Sequence, residues 1–121
     1  VAGEARRVLV VEDSFMTARS IVRLLEDLGV KVVGPASSVQ KAMVLLDTTR
    51  IDAAVLDINL GNETVEAVAQ RLDAEGVPFV FVSGYSSPRL LNPAFKSRLL
   101  VSKPVDPTLF RRAVSTMCAT A

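Results

Sequence analysis

Five short apolar runs, Val8–Val11, Val30–Val33, Ala53–Leu56, Phe79–Val82 and Leu99–Val101, alternate along the chain with longer stretches whose apolar residues recur at helical spacing. That alternation restricts the fold more than any other feature, because it is the signature of repeated strand–helix units and a parallel sheet. The sets Ala18/Ile21/Val22/Leu25, Val39/Ala42/Met43/Leu46, Val65/Val68/Ala69/Leu72 and Phe110/Ala113/Val114/Met117 each repeat at i, i+3, i+4, i+7 and predict four amphipathic helices. Ser14, Ser38 and Asp106 are expected as N-caps and Pro107 at a first helical position, with Gly29 and Gly76 where helices stop.

Between the fourth and fifth strands, the stretch Tyr85 to Arg98 is interrupted by Pro88 and Pro93, so a short or irregular helix is expected there. Lys31 marks the second strand as an edge, whereas the runs before Asp57 and Ser83 read as buried on both faces. The resulting sheet order is 2-1-3-4-5. At 121 residues the chain holds one domain, with residues 1–6 as a tail and 7–121 as the folded unit.

Composition narrows the chemistry. Fourteen basic and thirteen acidic residues nearly cancel, and no Lys/Arg block marks a nucleic-acid or membrane surface. No apolar run approaches a membrane span, the start lacks the apolar core of a signal peptide, and the single cysteine, Cys118, is expected to be an unreactive thiol. A soluble, cytoplasmic protein is expected. The chain contains no histidine, which removes imidazole bases, Ser-His and Cys-His nucleophile pairs and the commonest metal ligand. Chemistry must run on carboxylates, hydroxyls and lysine.

Four strands end in polar residues that core packing does not require: Glu12-Asp13, Asp57, Ser83 and Lys103. In an open parallel sheet the ligand crevice lies beyond the carboxyl ends of the strands, so these side chains are expected to converge. Clustered carboxylates repel unless a cation intervenes, and an all-oxygen set with room for water and phosphate suits Mg²⁺. With Asp57 held ionised, its free oxygen can attack phosphorus, while Lys103 and Ser83 meet the transferred oxygens. Taken singly, each residue has a plainer role: an acidic pair favouring a helix N-terminus, a loop-capping aspartate, a strand-end hydroxyl, a solvated lysine. Those roles do not explain why all of them fall at one end of the sheet.

Glu12-Asp13, Asp57, Ser83 and Lys103-Pro104, in this order and spacing from Arg7 to about Ala119, resemble the response-regulator receiver family. The resemblance implies a flavodoxin-like, doubly wound five-stranded sheet. It implies that Asp57 takes a phosphoryl group from a histidine kinase or histidine phosphotransferase and that the change switches binding of a downstream protein. Asp13 and Asp57 would ligate Mg²⁺ directly, Glu12 through water, and Asn59 through its main-chain carbonyl. Lys103 would contact the phosphoryl group, and the Lys103–Pro104 peptide would be cis.

This sequence departs from the common receiver in two places: Leu60-Gly61-Asn62-Glu63 lacks the usual proline, and Leu100 stands where an aromatic switch residue is usual. The segment Pro78 to Tyr85 is similar to the "FAT GUY" subgroup, which implies Tyr85 as a substitute switch beside Ser83, with Val82 and Ser83 replacing the more usual alanine and threonine. The enzyme alternative is an aspartate-nucleophile phosphatase of the haloacid-dehalogenase type. Such enzymes carry a second aspartate two residues on, and Asn59 there cannot transfer a proton. Only self-phosphorylation from a donor and slow self-hydrolysis are expected, not turnover. A flavodoxin-like cofactor carrier fits poorly, since Glu12-Asp13-Ser14-Phe15 has the wrong charge for a phosphate loop.

Overall fold

A computed structural model describes residues 6–61, 63–84 and 100–119, apart from the side chains of Asn59 and Ala119. The strands are β1 (Arg7–Val11), β2 (Lys31–Ala36), β3 (Ala53–Asp57), β4 (Asn59–Leu60), β5 (Glu63–Thr64), β6 (Phe79–Ser83) and β7 (Leu100–Ser102). The helices are α1 (Phe15–Asp27), α2 (Val39–Thr48), α3 (Glu66–Ala74) and α4 (Pro107–Ala119). Five strands form one parallel sheet in the order β2-β1-β3-β6-β7, which is the predicted 2-1-3-4-5 once the small β4–β5 hairpin is set aside.

The two-residue period of the strands divides the core into two layers. Leu9, Val11, Ala54, Leu56, Phe79 and Phe81 face one way and pack with Ala42 and Leu46 of α2 and Val68, Ala69 and Leu72 of α3. Val8, Val10, Ala53, Val55, Val80 and Val82 face the other way, against Ile21 and Leu25 of α1 and Phe110, Val114 and Met117 of α4. Every residue of β3 and β6 is buried, as the near-continuous apolar runs require of central strands. The helix ends follow their punctuation: Ser14 and Ser38 accept from the amides of Thr17 and Lys41, Asp106 accepts from that of Leu109, and Gly29 and Gly76 have positive φ.

Two local features differ from expectation. Strand β2 runs on to Ala36 instead of stopping at Val33. Gly34-Pro35 ends the apolar run, but an edge strand tolerates proline, and the register with β1 shifts between Leu9 and Val11 to absorb it. Gly34 is required there: at φ +98° a Cβ would lie 2.8 Å from the Ala36 nitrogen and 3.0 Å from the Val10 carbonyl oxygen. The second feature is the β4–β5 hairpin, paired Asn59 to Thr64 and Leu60 to Glu63, in what reads as a plain loop.

Both Lys103–Pro104, as expected, and Gly34–Pro35 have cis peptide bonds. Cys118 is half-buried and unpaired, and burial pushes its thiol above the ordinary range, in keeping with a weakly reactive role. Among the described residues no helix is long and apolar enough to cross a membrane. The expected irregular helix between β6 and β7 lies outside the described residues.

Candidate functional site

The described part of the protein buries only three polar side chains, Glu12, Asp57 and Ser83, at 2%, 3% and 8% exposure. All three stand at the carboxyl end of the sheet. Buried charge is costly unless it is paired, so their concentration at one place marks the part of the molecule where packing has yielded to chemistry.

Backbone pairing sets the geometry. Glu12 directly follows β1, and its amide donates to the Ala36 carbonyl at 3.0 Å, so the extra length of β2 fixes where this side chain emerges. Asp57 closes β3 opposite Val82, and Ser83 closes β6 one residue further on. The Lys103 amide donates to the Ser83 carbonyl at 2.8 Å, which seats the lysine beyond β7 at the same level. Its Nζ then lies 3.2 Å from Asp57 Oδ2, 3.2 Å from Glu12 Oε1 and 3.0 Å from Glu12 Oε2. Residues 91 positions apart in sequence therefore meet in one ion-pair cluster.

Glu12 Oε1 also accepts from the Ser14 amide at 3.0 Å, so the chain turning into α1 orients the carboxylate. Glu12 Oε2 is buried without a directed hydrogen bond, although Nζ of Lys103 is near. Asp13 is exposed, and one carboxylate oxygen from each of Glu12, Asp13 and Asp57 lies within 4.8 Å of the others.

Glu12 and Asp57 share the Lys103 ammonium group, and Asp13 brings a third carboxylate beside them. Burial drives the Glu12 pKa from 4.5 up to about 7, with Asp57 adding to the rise while the Ser14 amide and Lys103 oppose it. Burial alone would lower Lys103, but its hydrogen bond to Glu12 and the charges of Asp57 and Glu12 outweigh that and hold it above the ordinary lysine value. An all-oxygen set of three clustered carboxylates, one with a buried oxygen that receives no directed hydrogen bond, is what a hard divalent cation would satisfy.

The raised Glu12 pKa has a testable consequence for stability. In metal-free protein the unfolded chain ionises near pH 4.5 but the folded chain only near 7, so the folded state binds the extra proton and stability falls as pH rises through that window. Denaturant titrations in chelator should show a loss of about 1–3 kcal/mol from this group. Glu12→Gln should gain relative to wild type between pH 5 and 8, whereas a constant difference between the two proteins would refute the assignment.

The site thus gathers Glu12, Asp13, Asp57 and Lys103, with Ser83 at the adjoining strand end. The main chain of Asn59 follows two residues after Asp57 in β4. Leu100, the first residue of β7, is 42% exposed. Tyr85 lies outside the described residues. The hairpin over the site was not anticipated; its signal is Gly61-Asn62 between Leu60 and Glu63, a two-residue turn sequence.

The chain is similar to known proteins along nearly its whole length. The family model described as the response regulator receiver domain matches residues 8–115. The phyllosphere-induced regulator PhyR of Methylorubrum extorquens is 27% identical over 117 residues, covering 94% of this chain and 44% of the relative. An uncharacterized response regulatory protein of Vibrio parahaemolyticus is 30% identical over 110 residues, covering 88% and 45%. The chain therefore spans less than half the length of these curated relatives. Among solved structures, SdrG from Sphingomonas melonis superposes with a TM-score of 0.82 at 32% identity, over 93% of this chain and 96% of that one. PhyR from Brucella abortus superposes with 0.82 at 26% identity, over 96% and 49%.

Proposed function

The chain belongs to the response regulator receiver-domain family of two-component signalling, and on that footing we propose that Asp57 accepts a phosphoryl group from a phosphohistidine on a partner kinase or phosphotransferase. The observation that carries this reading is the meeting of Glu12, Asp13 and Asp57 oxygens within 4.8 Å, with Lys103 Nζ 3.2 Å from Asp57.

In the proposed reaction a carboxylate oxygen of Asp57 forms the new bond to phosphorus as the partner's imidazole nitrogen leaves with the bonding pair and takes up a proton. Asp13, Asp57 and the Asn59 main-chain carbonyl would hold Mg²⁺, with Glu12 acting through water, and the ion would supply charge to screen the phosphate and keep Asp57 ionised. Lys103, held at the mouth of the site by Glu12, moves its charge onto the transferred oxygens. The Ser83 hydroxyl hydrogen-bonds the same group. Low exposure of Asp57 keeps bulk water from the new acyl phosphate, and Asn59 in place of an acid removes the proton transfer that would cleave it quickly.

The phosphorylated state then shifts a two-state equilibrium read by a downstream protein, through Ser83 with Tyr85 and Leu100. Residues 7–121 are the proposed receiver unit and 1–6 a tail, acting in the cytoplasm without nucleic acid or membrane as partner. Incubation with a small acyl-phosphate donor is the test. Phosphate should be taken up once per chain with MgCl₂ and not after chelation, and a phosphomonoester should yield no turnover. Catalytic phosphate release from that ester would favour the dehalogenase-type phosphatase instead.

A further inference from the structure

The hairpin that follows Asp57 is tied to a different element of the fold. Glu63, the first residue of β5, accepts a hydrogen bond through Oε1 from the amide of Val39 at 2.9 Å, across 24 positions of sequence. Val39 opens α2, and its amide is one of the helix-end donors with no partner inside the helix. Ser38, the N-cap, is already committed to the amide of Lys41. A carboxylate at this point also faces the positive end of the helix dipole. Glu63 thus supplies a cap that α2 does not provide for itself.

The other side of the hairpin faces the acidic site. Leu60, paired with Glu63 across the two strands, is buried at 4% exposure, and the Val65 amide donates to the Ile58 carbonyl at 3.2 Å to close the hairpin base. Gly61 sits at the tip with φ +66°, and a Cβ there would lie only 3.7 Å from Asp13 Oδ2. The hairpin is held at its base by backbone pairing, at Leu60 by the core and at Glu63 by α2. Its tip lies beside Asp13, and the Asn59 main chain would complete the proposed cation site. Released from α2, the β5 limb would be fixed only at its base and through its pairing with β4, and the Gly61 tip beside Asp13 would be supported from the Leu60 side alone.

From this arrangement we infer that Glu63 is a positioning residue for cation binding and phosphoryl uptake: by capping α2 it holds the β4–β5 hairpin against the acidic site. It touches neither the cation nor the phosphate. The phosphoryl part of this role rests on the function proposed above.

The test compares wild type, Glu63→Ala and Glu63→Gln in the intact chain, by calorimetric titration with MgCl₂, by phosphate uptake from a small acyl-phosphate donor, and by thermal melting. Glutamine keeps a side-chain carbonyl oxygen that can accept from Val39. Glu63→Ala should weaken MgCl₂ binding and slow uptake by about three- to ten-fold, at or just below the low end of the cost of losing a contact that orients a metal ligand, and Glu63→Gln should recover most of both. A lower melting temperature with unchanged MgCl₂ affinity and uptake would show a purely structural cap and overturn the inference. Equal impairment of the glutamine and alanine variants would also overturn it, since charge and not the hydrogen bond would then matter. If wild type takes up no phosphate, the proposed function fails, while the MgCl₂ titrations still decide whether Glu63 orders the site.

Discussion

Lys103→Ala is expected to slow phosphoryl uptake at saturating Mg²⁺ by about two to three orders of magnitude, the usual cost of removing a donor aimed at developing negative charge, while binding Mg²⁺ at least as tightly as wild type. The opposite directions follow from one geometry. Lys103 Nζ is 3.0–3.2 Å from oxygens of Glu12 and Asp57. Its removal takes a positive charge away from the clustered carboxylates, which raises the attraction for a divalent cation. The same removal strips the transferred oxygens of their fixed positive partner. Single-turnover labelling and a MgCl₂ titration on the same preparation separate the two effects. Labelling as fast as wild type would show that Lys103 is only a counter-ion to the buried glutamate. Parallel losses of binding and rate would point to a collapsed site.

Loss of Lys103 should also deepen the pH dependence expected of Glu12. Lys103 opposes the rise in the Glu12 pKa, so without it burial and Asp57 raise that pKa further. The metal-free variant should therefore lose more stability than wild type between pH 5 and 8.

Much of the architecture is legible in the sequence because the fold is built from regular periods. Strands β3 and β6 announce themselves as unbroken apolar runs, and α1 to α4 carry their stripes, caps and stop glycines in order. What escapes is set by local exceptions. Gly34-Pro35 ends the apolar run, yet β2 continues through it, because edge position and a register shift remove the conflict. The β4–β5 hairpin has two residues per strand, too few to show a period, and only Gly61-Asn62 signals its turn.

The site divides in the same way. Its members are legible as polar residues at strand ends, where apolar packing gives no reason for them. Their energetics are not. Nothing in the local sequence says that Glu12 is nearly inaccessible, that Ser14 donates to it, or that Lys103 reaches it from 91 positions away. Those facts depend on how far each strand runs before its polar residue emerges. The extension of β2 to Ala36 matters here, since the Ala36 carbonyl receives the Glu12 amide. The Glu63–Val39 contact is likewise invisible in sequence, because α2 already has an adequate N-cap in Ser38.

Asp57 is the residue on which the proposed chemistry turns, and Asp57→Asn carries the second large effect. The amide has nearly the shape of the carboxylate, so the fold and the Lys103–Glu12 pair should persist. It lacks the anionic oxygen that attacks phosphorus, and its loss is not a matter of degree. Asp57 is the carboxylate that lies against Lys103 Nζ at the end of β3, and the chain has no histidine to take up the phosphoryl group in its place. The decisive measurement is the intact mass of wild type and Asp57→Asn after incubation with MgCl₂ and a small acyl-phosphate donor. Wild type should gain one phosphoryl group, lost if the metal is chelated beforehand, and the variant none; equal labelling of both proteins would contradict the assignment.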